Sequence, residues 1–144
     1  MDFVAAIDEL KETLGVSGGK PFSKHERETI YACAFGKYEI GEYENAANFF
    51  IQLILHDPYD IRFWKGLAAS RQMQKEYKAA LHAWAVLALL SGHSPTSHFH
   101  AAECYLSMEE IEEAKKALKM AEMHLETSDP LAKRISNLKE HIHG

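Results

Sequence analysis

The eight residues YENAANFF, at positions 43–50, have two counterparts in this chain: YKAALHAW at 77–84 and IEEAKKAL at 111–118. The three stretches therefore recur with a constant 34-residue period. All three share an alanine at their fourth position, and a second set of three alanines, upstream of these, keeps the same period. The six alanines are Ala46, Ala80, Ala114, Ala34, Ala68 and Ala102. Self-similarity at a fixed period of this length indicates a chain built from repeated structural units.

Large residues keep the same period as the alanines. One lies three positions before each shared alanine and another lies four positions after it. These residues are Tyr43, Tyr77 and Ile111, followed by Phe50, Trp84 and Leu118. The period is that of the tetratricopeptide repeat, a helix–turn–helix unit that buries its apolar face only by stacking on its neighbours. We therefore predict an all-α protein of three tandem tetratricopeptide repeats, an α-solenoid, with flanking helices at both ends.

The two ends of the chain complete the predicted organisation. Residues 2–14 have apolar residues at helical spacing, and the stretch that follows is rich in glycine, so we assign 1–20 to an N-terminal helix and a flexible joint. The repeats then occupy 21–128. Residues 129–144 are predicted to form a capping helix, because a solenoid needs its last apolar face covered.

Potential capping residues predict where several helices begin. Ser23 and Glu26 have the spacing of a capping box, and Asp60 follows a turn at Pro58. Ser94 precedes a proline, which is favoured at the first position of a helix. A second capping box, from Ser107 to Glu110, is expected to open the last helix of the third repeat.

Composition and charge exclude several classes of function. The chain has 144 residues and a net charge of −5, with no cluster of basic residues, which argues against binding to nucleic acid. Its longest apolar run, residues 83–90, is too short to span a bilayer. The acidic residues close to Met1 do not resemble a secretory signal, so we expect a cytoplasmic protein.

The two cysteines, Cys33 and Cys104, lie in different repeats. Their number permits either one disulfide or two free thiols. We expect two buried free thiols, because free cysteine is among the most buried residue types and the spacing matches no disulfide framework or zinc motif.

The histidines do not form a convincing metal site. His98 and His100 are two positions apart and point away from each other on a helix, whereas His100 and Glu103 are close enough to interact. The sequence contains no HExxH motif, no glycine-rich phosphate loop and no recognisable nucleophile with its base. We therefore predict no metal, no cofactor and no catalytic residue, and a protein that is not an enzyme.

The first helix of each repeat is expected to line a concave surface. On each helix we take the positions i, i+4 and i+7 as the face that looks into the groove. These residues are Tyr31, Phe35 and Tyr38 in repeat one, Lys65, Ala69 and Gln72 in repeat two, and Phe99, Glu103 and Leu106 in repeat three.

An aromatic stripe at helical spacing more often belongs to a core than to a binding surface. The first helix, however, carries a second apolar stripe with which to pack on its partner, formed by Ile30, Cys33, Ala34, Phe35 and Ile40. Apolar residues on two faces suggest that one face is reserved for a ligand. Exposed apolar patches mark interaction sites, so peptide binding is the leading function.

Several strings in the repeats go beyond the general pattern. The most specific are Gly66-Leu-Ala-Ala-Ser-Arg-Gln72 and Phe99-His-Ala-Ala-Glu-Cys104. With the aromatic run from Tyr31 to Tyr38, they resemble the class II chaperones of bacterial type III secretion. The resemblance covers about residues 27–125. The chain departs from the family pattern at two turns, where Lys75 and Glu109 replace the usual glycine.

The resemblance implies a cytosolic bacterial chaperone without enzymatic activity or cofactor. Such a protein would bind an extended segment of a hydrophobic translocator in its groove, and would neither bind nucleic acid nor insert into a membrane. In this chain Tyr31, Phe35 and Tyr38 would line the groove, with Phe99 and Leu106 further along. In that family an N-terminal helix often makes dimer contacts, and residues 2–14 could do so in a homodimer, but this segment matches the family least well and leaves the oligomeric state open.

Two alternatives remain at this point. One is a general adaptor that clamps the carboxylate at the C-terminus of a partner, for which the groove would need more cations than Lys65. The other is a chaperone of the secretion needle or of another secreted component.

Overall fold

The computed structural model describes residues 5, 22–126 and 128–143, and these form seven α-helices. They are α1 (Lys24–Glu39), α2 (Tyr43–His56), α3 (Ile61–Met73), α4 (Tyr77–Leu90), α5 (Pro95–Ser107), α6 (Ile111–Met123) and α7 (Leu131–His143). The prediction of an all-α repeat fold is confirmed. Apart from Ala5, the predicted N-terminal helix and its joint lie outside the described residues, and so does any dimer contact that they make.

The helices pair in sequence order. α1 packs on α2, α3 on α4 and α5 on α6, and each pair also contacts the next. In addition, α1 contacts α3, and α5 contacts α7. Gln72 of α3 is also hydrogen-bonded to Glu103 of α5, so the first helices of the three repeats are neighbours.

The periodic residues occupy equivalent places in the core. All six periodic alanines are completely buried, and Phe50, Trp84 and Leu118 are each only 2% exposed. A residue without bulk allows two helix backbones to approach closely, and the large residues fill the space that remains between units. The alanine positions therefore determine how closely neighbouring helices cross.

The turns inside the three repeats share one geometry. Gly41, Lys75 and Glu109 hold equivalent positions in the repeats and all have positive φ, at 82°, 63° and 61°. Each donates its amide hydrogen to the carbonyl of the third residue before it, at 3.0 Å in every case. Left-handed backbone at the end of a helix is favoured by glycine, which only the first repeat has. The two substitutions therefore leave the turn intact.

The helix starts agree with the capping pattern in part. Ser23 Oγ accepts from the Glu26 amide and Glu26 accepts from the Ser23 amide, both at 3.1 Å, so the first capping box is confirmed. Asp60 accepts from the Arg62 amide at 3.0 Å. Ser94 precedes α5, but its side chain makes no capping hydrogen bond.

The predicted capping box from Ser107 to Glu110 is wrong. Ser107 is the last residue of α5, and its hydroxyl donates to the carbonyl of Glu103 at 3.1 Å. The next helix starts at Ile111, after the turn at Glu109. The repeat period explains the difference, because α2 and α4 also begin directly after this turn, with Glu42 and Glu76 at the position of Glu110.

The prediction for the cysteines is correct for only one of them. Both are free thiols, but Cys33 is exposed and Cys104 is buried. Burial raises the pKa of Cys104 to about 12, which leaves it uncharged and unreactive at neutral pH. Leu67 occupies the position equivalent to Cys33 and is buried in the main core cluster. Cys33 lacks this cover because α1 is the first helix of the described repeats.

The last helix covers the end of the third repeat. Asp129 accepts from the amide of Leu131, the first residue of α7, at 2.9 Å. Leu131 and Ile135 form a second apolar cluster with Phe99 and Leu118. This cluster takes the place of the neighbour that a further repeat would provide.

Candidate functional site

The concave face of the solenoid contains a cavity of about 550 Å³. It lies between α1, α3 and α5, and single residues of α2, α4 and α7 complete its wall. The lining residues are Tyr31, Phe35, Tyr38, Phe50, Arg62, Lys65, Gly66, Ala69, Gln72, Met73, Trp84, His100, Glu103 and Arg134. A cavity of this size is sufficient to hold several side chains of an extended peptide.

One end of the cavity is aromatic. Phe35 is 48% exposed, whereas Tyr31 and Tyr38 are half-buried. The Tyr31 ring packs between those of Phe35 and Phe50, with centroids 6.3 and 6.1 Å away, and Tyr38 packs edge-on against Tyr43. The two tyrosines are thus held by their neighbours, and Phe35 offers the most apolar surface to a ligand.

The second apolar stripe predicted for α1 is mostly not a packing surface. Of its members, only Ala34 is buried, while Ile40 is 69% exposed. A small contact is enough here because α2 supplies the larger side chains to the core, including Phe50 and Leu53. Tyr31 and Tyr38 also pack against this core, so the aromatic face of α1 contributes to the core as well as to the cavity.

The floor of the cavity requires a glycine. A Cβ atom at position 66 would lie 2.3 Å from the Phe50 ring, so this ring packs directly on the backbone of α3. His100 holds the equivalent position in the third repeat, and there the Trp84 ring stacks on the imidazole at a centroid distance of 4.6 Å.

An arginine anchors the aromatic end. Arg62 Nη2 lies 2.8 Å from both a Glu28 oxygen and an Asp60 oxygen, and its guanidinium carbon is 4.6 Å from the centre of the Tyr31 ring. The hydrogen bond from Arg62, with its charge, holds the pKa of Asp60 below the usual range despite partial burial. The two acidic partners occupy the guanidinium, so Arg62 supports Tyr31 rather than offering a free charge.

The other end of the cavity is a hydrogen-bonded network. Trp84 Nε1 donates to Gln72 at 2.9 Å, and Gln72 Nε2 donates to Glu103 Oε1 at 3.3 Å. His100 Nδ1 lies 2.6 Å from the same oxygen, which confirms the predicted interaction of His100 with Glu103. Helices α3, α4 and α5 are joined by this network, so the polar end is preorganised.

Glu103 carries the negative charge of this network. Burial alone would raise the pKa of Glu103, but the hydrogen bond and charge of His100, with Gln72 and Arg134, outweigh it and hold the pKa below its ordinary value. The Arg134 Nη2 atom from α7 lies 3.9 Å from the second carboxylate oxygen. Glu103 is therefore ionised at neutral pH, with His100 and Arg134 already beside it.

The structure brings most of the predicted groove residues together. Seven of the nine line the cavity: Tyr31, Phe35, Tyr38, Lys65, Ala69, Gln72 and Glu103.

Phe99 and Leu106 are not part of this wall. Phe99 is 3% exposed and belongs to the cluster under α7, with the Arg134 guanidinium over its ring at 4.6 Å. The groove-face pattern includes Phe99 because Tyr31 and Lys65 occupy the same position in the first and second repeats. In the third repeat, α7 covers that position. Leu106 is half-buried and does not line the cavity.

Sequence reasoning missed the residues that come from outside the stripe. They are Phe50, Arg62, Gly66, Met73, Trp84, His100 and Arg134. The period could have pointed to Gly66 and His100, which hold equivalent positions in successive repeats and lie next to the predicted stripe. Arg134 carried no such signal, because α7 is not a repeat helix.

Two further observations concern the described part of the chain. In this part of the chain, no group of three or more His, Cys, Asp or Glu side chains is placed so that it could hold a metal ion. None of its helices is long and apolar enough to cross a membrane.

Comparison with known proteins identifies the repeats. The family model of the tetratricopeptide repeat matches residues 62–91. The chain is 38% identical over 119 residues to low calcium response locus protein H of Yersinia pseudotuberculosis, across 80% of this chain and 70% of that protein.

Comparison with solved structures agrees with the comparison of sequences. The fold is similar to that of the type III secretion chaperone SycD of Yersinia enterocolitica, crystallised with a peptide of the translocator YopD. The TM-score is 0.79 at 35% identity, over 84% of this chain and 95% of SycD. PcrH of Pseudomonas aeruginosa, in complex with the chaperone-binding region of PopD, has a TM-score of 0.78 at 30% identity, over 85% and 94% of the two chains.

Proposed function

Because this chain belongs to the class II chaperones of type III secretion, we propose that it binds an extended segment of a hydrophobic translocator in its concave cavity. The relatives are chaperones, and SycD and PcrH have been crystallised with segments of translocators. We propose that this protein acts in the same way in the bacterial cytoplasm, without catalysis or a cofactor.

The observation that carries the proposal is the exposed aromatic surface inside the cavity. Phe35 leaves 48% of its surface open on a wall that Tyr31 and Tyr38 hold in place. A preorganised apolar cavity binds apolar side chains without first losing much conformational entropy. A client with long apolar segments would aggregate in water, and a bound segment is removed from such contacts.

A general carboxylate-clamping adaptor is less well supported. Arg62 and Arg134 line the cavity in addition to Lys65. The first, however, is occupied by Glu28 and Asp60, and the second lies between Glu103 and the Phe99 ring. The described residues therefore do not give the cavity the cluster of free cations that such a clamp requires.

The proposal is tested by titrating fluorescent N-terminal translocator peptides from the same genome against the wild type and Phe35→Asp, with fluorescence anisotropy as the readout. Burying a half-exposed phenylalanine contributes roughly 1–2 kcal/mol, and a buried carboxylate adds a penalty. We expect binding to weaken at least about tenfold. Ile40→Asp is the matched control, since Ile40 is 69% exposed at the end of α1 and does not line the cavity.

Circular dichroism and thermal melting must accompany this titration. Phe35→Asp should keep its helical content, because the side chain is half exposed. Equal affinity of wild type and variant, with both folded, would contradict peptide binding in this cavity. So would a lack of binding by every peptide.

A further inference from the structure

Lys65 differs from the other charged residues that line the cavity. Arg62 is paired with Glu28 and Asp60, and Glu103 has both His100 and Arg134 beside it. Lys65 is exposed, and within the described part of the chain no acidic side chain lies within ion-pair distance of its ammonium group. Among the described residues, Lys65 is thus the one charged residue of the cavity that has no partner of opposite charge.

The position of Lys65 makes this charge relevant to a ligand. It lies in the middle of α3, one turn from Arg62 and one turn from Ala69, which also line the cavity. It holds in the second repeat the place that Tyr31 holds in the first. A segment that fills the cavity from the aromatic end toward Glu103 must therefore pass the ammonium group.

A ligand that covers an unpaired cation removes water from it and gains nothing in return. An opposite charge on the ligand compensates this loss and favours that ligand over others. The whole chain has a net charge of −5, so an acidic ligand is repelled overall and needs a local cation to be accepted.

Resting on the proposed function, we propose that Lys65 determines the specificity of the cavity by pairing with an acidic side chain within the bound segment. The segment places apolar side chains against Phe35 and Tyr31 and an aspartate or glutamate next to them, at the ammonium group of Lys65. The carboxylate belongs to an internal residue of an extended segment rather than to the end of a chain.

The test is a double-mutant cycle by fluorescence anisotropy. Wild type, Lys65→Met and Lys65→Glu are titrated with the binding translocator peptide and with versions in which each acidic residue in turn is replaced by its amide or by lysine. We expect one acidic position at which the amide weakens binding to the wild type by roughly fivefold and has little effect on Lys65→Met. At that position the lysine peptide should bind Lys65→Glu better than it binds the wild type.

Lys78→Glu is the matched control. Lys78 is exposed on α4, does not line the cavity, and its reversal changes the net charge by the same amount as Lys65→Glu. We expect Lys78→Glu to bind the peptide as the wild type does at near-physiological salt, where charges outside the cavity are screened.

Three results would overturn the proposal. The first is a binding segment without an acidic residue. The second is equal affinity of wild type and Lys65→Met for the acidic peptide, which is expected if the ammonium group stays in water in the complex. The third is a Lys65 effect that disappears when the C-terminus of the peptide is amidated, which would assign the carboxylate to a chain end.

In each case, binding that still depends on Phe35 leaves the proposed function intact. If no peptide binds the wild type, both proposals are wrong.

Discussion

The turn residues of the three repeats show what a single side chain contributes to this fold. Gly41, Lys75 and Glu109 have the same left-handed backbone and the same hydrogen bond. For a residue with a Cβ atom this conformation is unfavourable by roughly 1–2 kcal/mol. The surrounding helices impose it on Lys75 and Glu109 because the packing of each pair depends on the turn.

Glu109→Gly should therefore stabilise the protein. Relief of the backbone strain is partly offset by the greater freedom of glycine in the unfolded chain, which is worth roughly 0.4–1 kcal/mol. We expect a net gain of roughly 0.5 kcal/mol, measured as a shift of the urea midpoint. Glu112→Gly, in the first turn of α6, is the control and should lower stability by about 1 kcal/mol. A loss of stability in both variants would contradict the assignment of backbone strain to Glu109.

At the scale of the helix, the distance at which two helices cross depends on small side chains at the crossing point. Ala80 of α4 is completely buried, while its neighbour Ala79 is exposed. The two positions have the same residue in the same helix turn, so they separate the effect of packing from that of helix propensity.

Ala80→Leu should force the helices apart and lower the free energy of unfolding by about 1–3 kcal/mol. Ala79→Leu should be nearly neutral, because leucine is a good helix former and the side chain points into water. Urea unfolding followed by circular dichroism measures both. If Ala80→Leu were as stable as the wild type, the assigned repeat register would be wrong.

The last helix shows how an element outside the repeats changes a site. Helix α7 buries Phe99 in its cluster and brings Arg134 to the cavity. The helical spacing of Leu131 and Ile135 in the sequence identifies the face of α7 that packs on the third repeat. Which residues of α5 that face covers depends on the angle at which α7 docks, and local sequence carries no signal for that angle.

At the scale of the whole molecule, three histidines from separate elements meet at one edge. His93 follows α4, His98 lies in α5 and His124 ends α6. Their ring centroids are 5.5 to 6.4 Å apart, and His93 Nδ1 lies 3.3 Å from His98 Nε2. Burial lowers the pKa of His98 below 6.5, and the charges of His93 and His124 lower it further.

The protein should therefore lose stability as the solution becomes mildly acidic. Because the folded-state pKa of His98 is depressed, the unfolded chain binds the proton first. Stability from this group is fully present above about pH 6.5 and falls as the pH drops below that value. Asp60 and Glu103, whose pKa values are also lowered, add to the loss only in more acidic solution.

The effect is measured as the urea midpoint at neutral and at mildly acidic pH, on either side of the ordinary histidine pKa. The proteins compared are the wild type, His98→Gln and the control His25→Gln, which alters an exposed residue of α1. We expect His98→Gln to lose less stability between the two conditions than the other two proteins do. An equal loss in all three would show that His98 does not contribute to the pH dependence.

The repeats, their register and the face of α1 and α3 that lines the cavity can be predicted from the amino-acid sequence. Those features follow from the repeat period, which places Ala34, Ala68 and Ala102 at equivalent crossings regardless of the rest of the chain. The residues that complete the wall of the cavity depend on how the helices pack. Trp84 reaches Gln72, and Arg134 reaches Glu103, only after separate helices have packed. Such distances depend on the angles between helices, which arise from the sum of many weak contacts.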